Sequence, residues 1–123
     1  MARPNPVGWF EIYVQDMPRA RAFYEKVLDT TLDKLPTPDL EMWSFPMSME
    51  APGASGALVK MEGVPSGGST MIYFVCDDCA VEGARIADAG GKLHREKMSI
   101  GQYGFIVLGV DTEGNMFGLH SMK

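Results

Sequence analysis

The chain contains one strand–turn–helix pattern twice, and this repetition limits its fold more than any other feature. In Val7–Leu28 (VGWFEIYVQDMPRARAFYEKVL), alternating side chains predict a strand, and the apolar spacing that follows predicts a helix. A weaker copy occupies Met71–Ala89 (MIYFVCDDCAVEGARIADA). The two turns, at Asp16 and Asp78, lie 62 residues apart in a chain of 123. This spacing predicts two copies of one module.

The first strand and helix have clear apolar and polar sides. One side of the strand carries Phe10, Ile12 and Val14, and the other carries Trp9, Glu11 and Tyr13. Asp16 is a candidate N-cap, because its carboxylate can accept hydrogen bonds from the first helical turn. The predicted apolar stripe of the helix is Ala20, Phe23, Tyr24, Val27 and Leu28. We expect this stripe to pack on the side of the strand that carries Ile12.

The remaining segments complete both modules in the same order. In module one, strands are predicted over 29–35, 40–47 and 56–62. In module two, a strand at Thr70–Cys76 and a helix at Cys79–Ala89 precede strands over 92–98, 104–110 and 116–122, and Gly90 stops the helix. Gly63–Ser69 is a short linker. We therefore predict a single α+β domain over 1–123, with β-α-β-β-β modules at about 7–62 and 70–122.

Composition excludes several classes of function. The net charge is −5, and no cluster of Lys or Arg stands out, which argues against nucleic acid or an anionic membrane as a partner. No apolar run approaches the roughly 20 residues that span a bilayer. The N-terminal segment lacks the apolar middle of a signal peptide, so a cytoplasmic location is expected by default.

Cys76 and Cys79 are the only cysteines, in a C-x-x-C arrangement. A zinc site needs about four ligands, and no second Cys or His pair follows. A redox pair is an alternative, but Asp77 and Asp78 between the cysteines disfavour a thiolate. We interpret both as ordinary buried or half-buried thiols.

Three motifs make the chain resemble the vicinal-oxygen-chelate superfamily, which includes glyoxalase I, bleomycin-resistance proteins and extradiol dioxygenases. They are V-x-D-x-x-x-A-x-x-F-Y-x-x-V-L at Val14–Leu28, G-G-K at Gly90–Lys92 and D-x-E-G-N-x-x-x-L at Asp111–Leu119. The resemblance implies that the two modules form a cupped mixed β-sheet with a small-molecule site on its concave side. It also implies a homodimer.

The same resemblance points to four strand positions that hold a divalent metal in the metalloenzymes of this superfamily. Three of them correspond here to Trp9, Met71 and Gly118, and the fourth falls within Ala57–Met61. Indole, thioether and glycine do not supply the oxygen or imidazole ligands that such ions need. We therefore expect neither a metal nor another cofactor.

Glu11 is the most informative candidate, because a carboxylate between Trp9 and Tyr13 on an inward face would anchor a ligand or act as a general base. The alternative is that it lies at the rim or pairs with a cation such as Lys60. The predicted ligand-binding residues are Trp9, Glu11, Tyr13, Met71, Tyr73 and His120. Tyr103 lies in a loop that could close over a ligand, and His94 is predicted to be a surface residue.

These residues support three hypotheses about function. The first is a metal-free protein that binds a small, partly apolar or aromatic molecule, with no catalytic residue. The second is a glyoxalase-like lyase or isomerase that uses Glu11 as its catalytic group, either without a metal or with Glu11 and His120 as ligands of a displaced metal. The third is an interaction module whose cup is filled by its own side chains.

Overall fold

The computed structural model of this protein describes residues 4–67 and 70–123. The chain divides into two compact units. One runs from Trp9 to Thr70, and the other comprises Met71–Lys123 together with residues 4–8. They correspond closely to the two predicted modules.

Module one has the predicted β-α-β-β-β order. Its elements are β1 (Val7–Tyr13), α1 (Met17–Val27), β2 (Asp33–Lys34), β3 (Glu41–Ser44) and β4 (Ser55–Lys60). The strands lie in the order β2-β3-β4-β1, in which β1 and β4 are parallel and the other neighbours antiparallel. The result is a mixed sheet with α1 on one face.

Module two repeats this arrangement. Its elements are β5 (Thr70–Val75), α2 (Cys79–Gly83), β6 (Lys92–Ser99), β7 (Phe105–Val110) and β8 (Met116–Ser121), with a 3-10 turn at Gly101–Tyr103. The strand order is β5-β8-β7-β6, with β5 and β8 parallel. The α+β class and the two βαβββ modules are therefore confirmed.

The cap of α1 is confirmed, but only Ala20 and Tyr24 of its predicted apolar stripe pack against the core. The Asp16 carboxylate accepts a 3.0 Å hydrogen bond from the Arg19 backbone N–H. Phe23, Val27 and Leu28 are 58%, 61% and 56% exposed, so their predicted burial is wrong. The buried side is centred on Met17, at the first helical position, and this rotates the packed stripe away from these residues. The module-one core consists of Val14, Met17, Leu32 and Leu58, with Ile12, Ala20, Tyr24, Trp43 and Phe45 packed around it.

Three predicted elements are markedly shorter than expected, and one of them is the strand predicted over 40–47, which spans only Glu41–Ser44. The strand predicted over 29–35 reduces to Asp33–Lys34, because the Glu25 carboxylate takes the Leu32 backbone N–H at 2.9 Å. The helix predicted at Cys79–Ala89 ends at Gly83, and the chain then continues as a series of looser turns. Gly90 then adopts a left-handed φ of 98°, as expected of a glycine that ends a helix.

Both cysteines lie in the core of module two. This core comprises Cys76, Cys79, Ile86, Val107 and Leu119, with Phe74, Phe105 and Phe117 packed against it. Burial, together with the nearby Glu82 carboxylate, raises the pKa of Cys76 to about 11. The Cys76 thiol therefore stays protonated at neutral pH, as expected of a structural thiol.

Candidate functional site

Trp9, Glu11 and Tyr13 lie on the same face of β1, and we call them the Glu11 cluster. The parallel register with β4 places Glu11 beside Ala57. The intervening residues Phe10 and Ile12 point to the face that α1 covers, because successive side chains of a strand alternate. The predicted separation of the two faces is thus confirmed for β1.

The Glu11 carboxylate accepts a hydrogen bond at each of its oxygens. The Tyr13 hydroxyl donates to Oε1 at 2.8 Å, and the Trp9 indole N–H donates to Oε2 at 3.2 Å. Glu11 is only 9% exposed, and its neighbour Ala57 is fully buried. A nearly buried carboxylate is thus held in one orientation by its two strand neighbours.

The electrostatics of the Glu11 cluster keep its tyrosine protonated. Burial raises the pKa of Tyr13 well above its usual value, and the charge and hydrogen bond of Glu11 raise it further. Tyr13 therefore acts as a hydrogen-bond donor throughout the physiological pH range. Chemically, the arrangement presents an oriented acceptor that can bind a cation or a hydrogen-bond donor, or take up a proton.

The residue suggested as a cationic partner for Glu11 lies elsewhere. Lys60 pairs with Glu41 in the β3–β4 register and faces the α1 side of the sheet. The face of Glu11 carries Met42 and Ser44, which lie opposite Val59 and Ala57. Pairing with Lys60 across the same face is therefore wrong.

In module two, the remaining predicted site residues share one sheet face. The parallel register of β5 and β8 pairs Tyr73 with Gly118 and Val75 with His120. Met71 lies two residues before Tyr73 and so points the same way, and both are 8% exposed. Met71, Tyr73 and His120 thus lie on one sheet face within their own unit.

His120 is held by the loop that contains Tyr103. Its Nε2 lies 2.6 Å from the Tyr103 carbonyl oxygen. Because a carbonyl oxygen only accepts, Nε2 carries the proton, and Nδ1 is the acceptor of the neutral ring. Here Tyr103 contributes its backbone, while its side chain is 38% exposed. His94 is exposed, as predicted.

The ring of Tyr73 lies directly against Gly118. An ideal Cβ on Gly118 would overlap ring atoms Cδ2 and Cε2 of Tyr73 and would lie 2.9 Å from Cγ. Real Cβ atoms essentially never approach other heavy atoms that closely. The ring thus occupies the space into which a side chain at position 118 would extend.

The metal positions implied by the resemblance do not fit a metal. Position 118 has no side chain and is covered by the Tyr73 ring, and the Trp9 N–H is a donor that already bonds Glu11. Over residues 4–67 and 70–123, no group of three or more His, Cys, Asp or Glu side chains is placed to hold a metal ion. Glu11 and His120, the alternative metal ligands, belong to different units of the chain.

Two surface grooves lie outside the predicted site. One, of about 390 Å³, is in module one beside the start of α1, and its lining includes Gln15, Arg19, Phe23 and Ser66. The other, of about 150 Å³, lies beside α2 and includes Leu93 and Val107. The sequence did not reveal the first groove, because the expected burial of Phe23 would have closed it.

One protein-family model matches most of the chain. The model of the family described as Glyoxalase/Bleomycin resistance protein/Dioxygenase superfamily matches residues 7–119. No curated protein sequence matches the chain. In the part of the chain that the structure describes, no helix is long and apolar enough to cross a membrane.

Solved structures share the fold at low sequence identity. Streptomyces coelicolor methylmalonyl-CoA epimerase in complex with 2-nitronate-propionyl-CoA is 15% identical, with a TM-score of 0.72 over 95% of this chain and 96% of that chain. The Mycobacterium tuberculosis methylmalonyl-CoA epimerase is 14% identical, with a TM-score of 0.72 over 100% of this chain and 93% of its own. A hypothetical protein from Bacillus halodurans C-125 is 11% identical, with a TM-score of 0.75 over 98% and 96% of the two chains. At these identities the likeness establishes the fold alone.

Proposed function

The chain belongs to the glyoxalase/bleomycin resistance protein/dioxygenase superfamily, and we propose that it binds a small organic molecule without a metal, using the Glu11 carboxylate as anchor. The observation that carries this proposal is the nearly buried carboxylate held between Trp9 and Tyr13. Burying a carboxylate is costly unless hydrogen bonds compensate for the loss of water. A carboxylate kept and oriented at such a place favours a role in binding.

The chemistry of the Glu11 cluster suggests the class of ligand. A carboxylate accepts hydrogen bonds from donor groups and attracts cations. The aromatic rings of Trp9 and Tyr13 attract apolar and cationic groups. A primary or substituted ammonium group on an apolar or aromatic body meets both requirements.

Three residues of module two, the oligomeric state of the protein and its location are proposed as well. Met71, Tyr73 and His120, on one sheet face of their unit, are proposed as further ligand contacts. As part of the same proposal, the protein is a homodimer, as the resemblance implied, and it resides in the cytoplasm.

Thermal unfolding with two probes of equal size and opposite charge tests the anchor. Phenethylamine carries an ammonium group on a phenyl body, and hydrocinnamate carries a carboxylate on the same body. We expect the amine to raise the melting temperature of the wild-type protein, since a ligand that binds only the native state adds about 2.7 kcal/mol at 100 times its Kd. Hydrocinnamate should have no effect. Equal shifts with both probes, or none with the amine, would contradict the proposal.

The chain provides a matched control for the key variant. Glu11→Gln removes the charge while keeping the shape, and it should abolish the response to the amine. Glu41→Gln makes the same change where a glutamate also accepts a hydrogen bond, at 2.9 Å, from a tryptophan two residues away. Glu41 points to the opposite face of the sheet, so this variant should respond like the wild-type protein.

A second candidate function is base-catalysed isomerisation, which the fold shared with methylmalonyl-CoA epimerases favours. In this case Glu11 would take the proton from the carbon next to a thioester carbonyl and release it to solvent, and a proton from solvent would add to the opposite face of that carbon. Incubating methylmalonyl-CoA with the protein in D₂O should then place deuterium at that carbon. Exchange that is absent, or equally fast with Glu11→Gln, would reject this candidate.

A further inference from the structure

Equivalent positions on β1 and β5 carry chemically different side chains. The 62-residue offset relates Glu11 to Tyr73, and the parallel strand pairs place Glu11 beside Ala57 and Tyr73 beside Gly118. In module one, the position carries a carboxylate with a small alanine at its side. In module two, it carries an aromatic ring that lies on a bare backbone.

Tyr73 and Gly118 depend on each other sterically. Both strands are fixed by their register, and the ring is 8% exposed, so neither the backbone nor the ring can shift far to admit a side chain at position 118. Any side chain at position 118 is therefore destabilising for as long as a tyrosine stands at position 73. Gly118 does not have a left-handed φ. The preference for glycine therefore comes from the lack of room beside the Tyr73 ring and not from backbone conformation.

We infer that Tyr73 is the residue that excludes a metal from this member of the superfamily, because its ring fills the space that a metal-ligating side chain at position 118 would need. The inference extends the proposed metal-free function, since it names the side chain that replaces the metal site.

A double-mutant cycle tests the steric part without any ligand. In the wild-type background, Gly118→Ala should lower the melting temperature by roughly 5–15 °C, the effect expected of overpacking in a domain of this size. In the Tyr73→Ala background, the same change should shift it by less than about 3 °C, because the ring is gone. If Tyr73→Ala does not fold, Tyr73→Val provides the background. Equal losses in both backgrounds would overturn the inference.

A metal titration tests the exclusion itself. Two variants carry Met71→His and Gly118→Glu, on the sheet face of module two that also carries His120, and one of them also carries Tyr73→Ala. Calorimetry with Co²⁺ alone should show binding at least about tenfold tighter without the ring, the size of effect that neighbours of a metal site have on affinity. Equal affinity in the two variants, or no binding in either, would overturn the inference. Neither result depends on the amine probe, so failure here is distinguishable from failure of the Glu11 anchor.

Discussion

The cores of the two modules resemble each other closely, whereas the sheet faces that carry Glu11 and Tyr73 differ. Val14 and Cys76, related by the 62-residue offset, are each 8% exposed, and their backbone N–H groups donate 2.8 Å hydrogen bonds to the Val59 and His120 carbonyls. Met17 and Cys79 follow the two capping aspartates and are 2% and 0% exposed. On the opposite faces, the same offset relates Glu11 to Tyr73, which have nothing in common chemically.

The correspondence between the two cores explains the C-x-x-C arrangement. Cys76 and Cys79 stand where module one has Val14 and Met17, so their spacing of three residues is the spacing of two core positions around a helix cap. The core positions of the repeat require apolar side chains of suitable volume, and a thiol meets this need. The sheet faces have no such requirement, and there the modules have diverged.

The largest expected effect tests whether the two cores are equivalent. Leu58 packs beside Ile12 in module one as Leu119 does beside Phe74 in module two. Each Leu→Ala change should cost about 2–5 kcal/mol of unfolding free energy, through lost burial and the cavity that remains. Leu58 is fully buried and Leu119 is 6% exposed, so the loss at Leu58 should be the larger. Urea denaturation measures both, and a loss below about 1 kcal/mol at one site would refute the equivalence of the cores.

An intermediate effect is expected at the Glu11 cluster. Tyr13→Phe removes the donor to Oε1, and leaving a buried acceptor without its partner costs about 1–3 kcal/mol. The equivalent residue of module two, Val75, has no hydroxyl, so Val75→Ala should show no change in the pH dependence of stability. Urea denaturation at neutral pH measures the loss of unfolding free energy in each variant. Tyr13→Phe loses the hydrogen bond and keeps the ring, whereas Val75→Ala loses packing alone.

The pH dependence of the same variant has a definite sign. The folded state raises the pKa of Tyr13 above the usual 10.0, so the protonated form is favoured in the folded protein. The resulting stability is fully present below pH 10 and is lost as the pH rises above 10 towards the folded pKa. Unfolding free energy should therefore fall more steeply above pH 10 in the wild-type protein than in Tyr13→Phe. Equal slopes would show that Tyr13 is not protected by Glu11 and burial.

The smallest effect is expected where the modules are most alike. Cys76→Val gives module two the side chain that module one has at Val14, and the change in volume is small. The cost should be below about 1.5 kcal/mol, as for other core substitutions that conserve volume. Because the pKa of Cys76 is raised to about 11, the wild-type thiol should also react slowly with iodoacetamide at pH 8. A large loss of stability, or rapid alkylation in the folded state, would mean that the thiol has a role that valine cannot fill.

Much of the fold was predictable because its signals are local. The Asp16 cap, the strand alternation around Glu11 and the left-handed Gly90 each depend on a few neighbouring residues. Element lengths were less predictable. The side chain of Glu25, seven residues from Leu32, takes the backbone N–H there, and no local pattern indicates such a bond.

The site was predictable as a set of faces. Alternation along β1 and β5 correctly grouped Trp9 with Glu11 and Met71 with Tyr73. It did not reveal that both oxygens of Glu11 accept from its own strand neighbours, since this depends on rotamers. The partner suggested for Glu11, Lys60, was wrong because the register of β4 against β3 places it on the other face.

The sequence by itself determined the duplicated βαβββ frame, the helix caps and the poor fit of Trp9, Met71 and Gly118 to a metal. Each of these follows from periodicity or from the chemistry of one side chain. Only the tertiary structure decided that Phe23 and Val27 are exposed and that the Tyr73 ring lies against Gly118. Both depend on how distant segments approach in space, because Met17 sets the rotation of α1 and the pairing of β5 with β8 brings together residues 45 positions apart.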